Sequence, residues 1–127
     1  MSSFSAYTED AVLNHLFRNV ALPAPGAVYL ALYTAAPTDA GGGTQVSDSG
    51  YARQAVTFGA PSGGEISNTA PVAFTAAGGS FGEIVAVGIF DAATAGNLLA
   101  WAPITPATIG DGDTLNFAVG EIDISLT

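Results

Sequence analysis

Few side chains in this sequence have the types and spacing that chemistry needs. His15 is the single histidine. A catalytic triad around it would need an acid and a nucleophile on the same face, but Asp10 is five residues away and so lies elsewhere on a helix. His15 therefore reads as a partly buried structural histidine beside an apolar stripe. Carboxylates occur in pairs at Glu9/Asp10, Asp111/Asp113 and Glu121/Asp123. The first pair suits a helix start, where the dipole favours anions, and the last suits the solvated side of a strand. Gly110-Asp111-Gly112-Asp113-Thr114 has the spacing of part of a calcium loop but lacks the remaining ligands and the terminal bidentate Glu. A hairpin turn is the reading, with a weak cation site at Asp111/Asp113 as the alternative. Gly41-Gly42-Gly43-Thr44 has neither the Lys nor the following helix that a phosphate cradle needs. No catalytic, cofactor-binding or metal residue is assigned, and the expectation is a protein that is not an enzyme.

Composition narrows the partners. Two arginines, Arg18 and Arg53, stand against eleven carboxylates in 127 residues, for a formal net charge of −9. Nucleic-acid backbones and anionic membrane surfaces both require more cations than that. There is no cysteine, so disulfides and thiol chemistry are absent. No apolar run approaches the roughly 20 residues of a membrane span. The first eleven residues lack the cations and apolar stretch of a signal peptide. The length suits a single domain over residues 1–127. At this mass about 6,200 Å² should stay exposed when folded, leaving enough buried area for a core. Charged residues are only 10% of the chain, where about 25% is usual. Alanine inflates the mean hydropathy of +0.42, but the sharper explanation is that much of the surface faces other protein.

The elements follow from periodicity and turn residues. Val12, Leu13, Leu16, Phe17 and Val20 recur at helical spacing, which predicts one N-terminal helix over about residues 8–19. Thr8 or Ser5 can cap it, and Asn19, Pro23 and Pro25 end it. Everything after Pro25 reads as β. Candidate strands are Val28–Thr34, Tyr51–Phe58, Pro71–Thr75, Ile84–Phe90, Leu98–Ala102, Thr114–Val119 and Glu121–Leu126, with a short edge piece at Ile66–Thr69. Both parities of Val28–Thr34 are apolar, so that strand should be covered on both faces. Asp91 to Asn97 is a hairpin connection in which Gly96-Asn97 can take positive φ. Pro103 and Pro106 confine their segment to an edge. The fold class is mainly β: an antiparallel β-sandwich or flattened barrel of about seven or eight short strands with one N-terminal helix. Aromatics fall one or two per strand, as a sandwich core requires. A carbohydrate-binding module using Tyr7, Tyr51 or Trp101 is a more remote alternative.

Several segments resemble a family of small virion structural proteins of tailed phages, often labelled tail fibre proteins. They are Val28-Tyr29-Leu30-Ala31-Leu32-Tyr33-Thr34 with Ala36-Pro37-Thr38-Asp39, and Gly50-Tyr51-Ala52-Arg53-Gln54-Ala55-Val56. The others are Val87-Gly88-Ile89-Phe90-Asp91-Ala92, Gly96-Asn97-Leu98-Leu99-Ala100-Trp101, Gly112-Asp113-Thr114 and Glu121-Ile122-Asp123-Ile124. The resemblance implies a non-enzymatic particle protein located in the virion. The absence of repeats favours a capsid decoration (cement) protein, with a tail fibre or tail-tip protein as the alternative. Expected partners are the major capsid protein or tail proteins, and copies of the chain itself in a homo-oligomer, a trimer.

Leu13, Leu16, Phe17, Tyr51, Arg53 and Trp101 are the candidate interface residues. If the helical stripe packs on the sheet or on a neighbouring subunit, Leu16→Ala costs roughly 2–5 kcal/mol. Arg53, one of two cations among eleven carboxylates, is expected to pair with a carboxylate, within the subunit or across an interface. Asp39, Asp48, Asp91, Asp111 and Asp113 fall in loops and should form an acidic rim facing water.

Overall fold

The computed structural model describes residues 3–47 and 50–126. The chain runs β1 (Ser3–Phe4), α1 (Ala6–Arg18), β2 (Val28–Ala35), β3 (Thr44–Gln45), β4 (Gln54–Val56), β5 (Glu65–Ser67) and β6 (Val72–Thr75). It continues through β7 (Gly82–Phe90), β8 (Leu98–Ile109), β9 (Thr114–Phe117) and β10 (Asp123–Ser125). The large sheet is ordered β1-β8-β7-β2, and the far edge of β2 is shared by β4 near its start and β3 near its end. Two ribbons, β5 with β10 and β6 with β9, form the opposing layer. Every pairing is antiparallel, and the sheets do not close into a barrel. The expected β-sandwich with one N-terminal helix is what the chain adopts.

The main core lies between the sheet and the ribbons. Leu30 and Leu32 of β2, Ile84 of β7, Phe74 of β6 and Phe117 of β9 meet there. Tyr51 stacks on Phe74 with centroids 6.1 Å apart and meets Phe81 edge-on at 5.8 Å. The ribbons are tied to each other by a polar residue. Asn68 is 2% exposed; its amide donates to the Ala70 and Ala118 carbonyls at 2.8 and 3.1 Å. Its Oδ1 accepts the N–H groups of Gly120 and Ile122 at 3.0 and 2.9 Å. All four side-chain valences are met, which is what makes a buried amide tolerable.

β2 is covered on both sides, as its sequence requires. Ala31 and Tyr33 pack on the other face of the sheet with Ala86, Phe90 and Leu98. Gly88 lets Tyr33 lie flat across the middle strand, since a Cβ there would sit 2.9 Å from both Tyr33 Cε1 and Leu98 Cδ1. The proline reading also holds. Among the described residues β1 covers the outer edge of β8 at Ala100 and Trp101, and Pro103 and Pro106 lie beyond that pairing, where no described neighbour asks for an N–H.

Some boundaries differ from expectation. The helix begins at Ala6 because Ser5 is the cap, its Oγ accepting the Thr8 N–H at 3.2 Å. Of the predicted strand Tyr51–Phe58, only Gln54–Val56 pairs in the sheet. At the Asp91–Asn97 hairpin the positive φ values belong to Ala95 and Gly96, not to Asn97. The clean alternation expected of Glu121–Leu126 fades, with Ile122 buried but Leu126 57% exposed.

Candidate interaction surface

The first turn of α1 is fixed to the sheet by hydrogen bonds. Ser5 Oγ donates to the Leu98 carbonyl, and Thr8 Oγ1 donates to the Leu99 carbonyl at 2.7 Å. The Ala6 N–H reaches the Asp39 carbonyl at 2.7 Å, and the Ser5 N–H the Leu99 carbonyl at 2.9 Å. Exposure then climbs along the helix. Ala11 and Val12 are half-buried, Leu13 is 55% exposed, Leu16 66% and Phe17 77%. No residue of the helix is buried. The expectation that this stripe packs on the chain's own sheet is therefore corrected: the helix is held at one end and its apolar tip stands free. His15 is corrected with it. It is exposed, with Nδ1 3.0 Å from the Val20 carbonyl just past the helix end.

Beside the anchored turn lies an apolar groove of about 640 Å³. Its walls are Phe4, Tyr7 and Ala11 on one side, Leu22 to Pro25 on another, and Phe58, Ile66 and Ile124 from the sandwich. A narrower cleft lined by Phe4, Glu65, Ile66, Ile124 and Leu126 prolongs it. With the exposed Val20, Leu22 and Leu126, tip and groove account for most of the large apolar side chains left in water. The chain exposes 6884 Å², more than the about 6,200 Å² of a compact chain of this mass. Sequence reading missed this groove. Phe4 belongs to a two-residue strand too short to show any period, although Leu22-Pro23-Ala24-Pro25, a loop with no polar side chain, was a signal.

The remaining candidate residues lie elsewhere. Tyr51 is turned inward, its hydroxyl accepting the Leu32 N–H at 3.1 Å. Burial raises the pKa of that hydroxyl. Arg53 sits on the opposite face of the sheet, 3.7 Å above the centroid of the Phe90 ring. Its Nη1 donates to the carbonyls of Ala92 and Ala95 at 2.9 and 2.7 Å, and its Nε to Gln45 Oε1 at 3.3 Å. Its direct contacts in the chain are thus carbonyls, an amide and a ring, and the nearby Asp91 carboxylate feels its charge without a hydrogen bond between them. Arg53 clamps the Asp91–Asn97 hairpin from below. The Asp91 carboxylate closes the same turn, accepting the Asn97 backbone N–H at 2.7 Å and its Nδ2 at 3.0 Å. The backbone bond is the main cause of a pKa below the ordinary carboxylate value. Trp101 is half-buried, and its Nε1 donates to Asp39 Oδ1 at 3.0 Å.

The loop acids have structural work. Asp111 Oδ1 accepts the Gly78 N–H at 3.1 Å and Asp113 Oδ2 the Gly110 N–H at 2.8 Å, which is turn chemistry. Asp39, Asp111 and Asp113 are exposed, Asp91 is half-buried, and Asp48 lies outside the described residues. Among the described residues no three His, Cys, Asp or Glu side chains group as metal ligands would. No helix among them is long and apolar enough to cross a membrane.

Fold and surface together define a class: a small antiparallel β-sandwich that carries a half-anchored amphipathic helix beside an apolar groove. The sequence matches the family described as podophage GP4 fiber I protein gp80 over residues 3–125. The chain belongs to this phage fibre-protein family, which puts it among virion proteins. No curated protein matches it.

Proposed function

We propose that the protein is a non-enzymatic structural component of a phage tail fibre, working as a small homo-oligomer, expected to be a trimer, in contact with tail proteins. The single observation carrying this reading is the match to a fibre family along residues 3–125. The unburied apolar tip of α1 supports it, because a charge-poor chain keeps such side chains in water only when a protein neighbour will cover them. Capsid decoration has the same need for apolar contacts but lacks the family's support. Particles made without the protein distinguish the two. Loss of adsorption with unchanged heat resistance, at a handful of copies per virion, is the expected result. Particles that adsorb normally but open at lower temperature, with hundreds of copies each, would replace the fibre reading by decoration.

A further inference from the structure

We propose that the apolar tip of α1 in one copy docks in the groove of a second copy of the same chain. This rests on the homo-oligomeric reading above and names the surfaces that make the oligomer. Geometry supports an exchange between copies. Tyr7, Thr8 and Ala11, from the first half of α1, are a wall of their own chain's groove. Phe17 lies nine residues beyond Thr8, about 13 Å along a straight helix. A rigid helix that walls a groove with its first half cannot fold its second half back into it, so the tip can fill only another copy's groove.

Charge favours a second copy over an unrelated partner. Residues 14–20 contain no acid and carry Arg18, one of two arginines in a chain of net charge −9. Arg18 donates to Asn14 Oδ1 at 2.9 Å, a contact within the helix itself. The groove carries Asp91, whose carboxylate accepts from Asn97 and lies in the field of Arg53. Its extension carries Glu65, whose Oε2 accepts the Ser125 hydroxyl and which stays exposed among apolar walls. An apolar tip bearing a cation therefore meets an apolar groove bearing carboxylates. The second arginine, Arg53, is occupied on the other face of the sheet. The contact is heterologous, tip to groove, so each copy uses both surfaces, and a closing rotation yields a ring.

Mass measured in solution by light scattering tests this. The wild-type chain at about 100 μM, a concentration chosen above the micromolar range of standard interfaces, is expected to run as a discrete multiple of 12.6 kDa. The L16E/F17E double variant changes two side chains that are in water in the single chain, so under dilute, monomeric conditions it should keep the wild-type melting temperature. Its association should weaken by roughly 100-fold or more, since each side chain loses apolar burial worth about a factor of ten. The chain has no cysteine, which permits a direct assay of who touches whom. Chains carrying Phe17→Cys, mixed with chains carrying Glu65→Cys and mildly oxidised, should give the mixed disulfide in preference to either homodimer. A wild-type chain that stays monomeric overturns the proposal, as does an oligomer that survives L16E/F17E or forms no mixed disulfide. In those last two cases the homo-oligomer stands and only the surfaces assigned to it fall. The fibre reading is judged separately, on particles.

Discussion

The sandwich body and the N-terminal helix use the same apolar side chains to opposite ends. In the body, Leu30, Leu32 and Ile84 are fully buried between two layers, and Phe74 is 2% exposed. In α1, Leu13, Leu16 and Phe17 recur with comparable regularity, yet each is more than half in water. Strands pair through backbone hydrogen bonds, and pairing brings their apolar faces into one layer. A helix satisfies its backbone internally, so nothing forces its stripe onto the body. Only its first turn is held, by Ser5 and Thr8 reaching carbonyls of β8. The difference teaches that periodicity reveals a face that wants covering, while pairing decides what covers it.

The largest effect should come from the body. Phe74→Ala removes a ring held between Tyr51 and Phe117, and should cost about 3–5 kcal/mol in denaturant unfolding. Leu16→Ala, measured on the chain under monomeric conditions, should cost less than about 0.5 kcal/mol. A cost of several kcal/mol at Leu16 would mean that the helix packs on its own sheet, and would erase the contrast.

Next in size is Asn68→Ala, which leaves the Ile122 N–H and the Ala70 carbonyl of the opposing layer without their side-chain partner, while the Gly120 N–H and the Ala118 carbonyl keep only their backbone bonds. A loss of about 3 kcal/mol is expected. A neutral outcome would show that water replaces the amide and that the two ribbons are not fastened through it. Arg53→Ala should cost about 1–2 kcal/mol, from the ring contact with Phe90 and two carbonyl bonds. Arg53→Lys should recover part of that, since an ammonium keeps the charge but lacks the planar fork. A change in oligomer mass with no change in melting temperature would move Arg53 from hairpin clamp to interface.

Smaller effects concern pH. Burial pushes the Tyr33 hydroxyl up to about 12, from an ordinary value near 10. Above pH 10 the unfolded chain therefore holds fewer protons at this site than the folded one, so stability falls as pH rises from about 10 to 12. Tyr33→Phe should flatten that alkaline loss in pH-dependent melting while changing the neutral melting temperature little. Asp91 behaves in the opposite sense. Its lowered pKa means a contribution present above the ordinary carboxylate range and lost as pH falls through the lowered value. Because the carboxylate is near water, Asp91→Asn should shift the acid limb only slightly, the smallest effect of the set.

The sequence by itself determined the β class, the strand cores and the single helix. Those depend on period, turn residues and caps within a few neighbours: the doubly apolar Val28–Thr34, the prolines of β8, and Asn19 at φ 58° closing the helix. It also determined the charge balance, two arginines against eleven carboxylates, since that is a matter of counting. Tertiary structure alone decided where the faces point. Leu16 and Phe74 look alike in a sequence, and only the pairing of β6 with β9 beneath the sheet buries one and leaves the other in water. Arg53 finds Phe90 and the carbonyls of Ala92 and Ala95 across about 40 positions, a meeting set by strand register. The groove likewise draws Phe4, Leu22, Ile66 and Ile124 from four segments distant in the chain. No local pattern marks such a place, because its shape is created by the gaps between elements and not by the elements themselves.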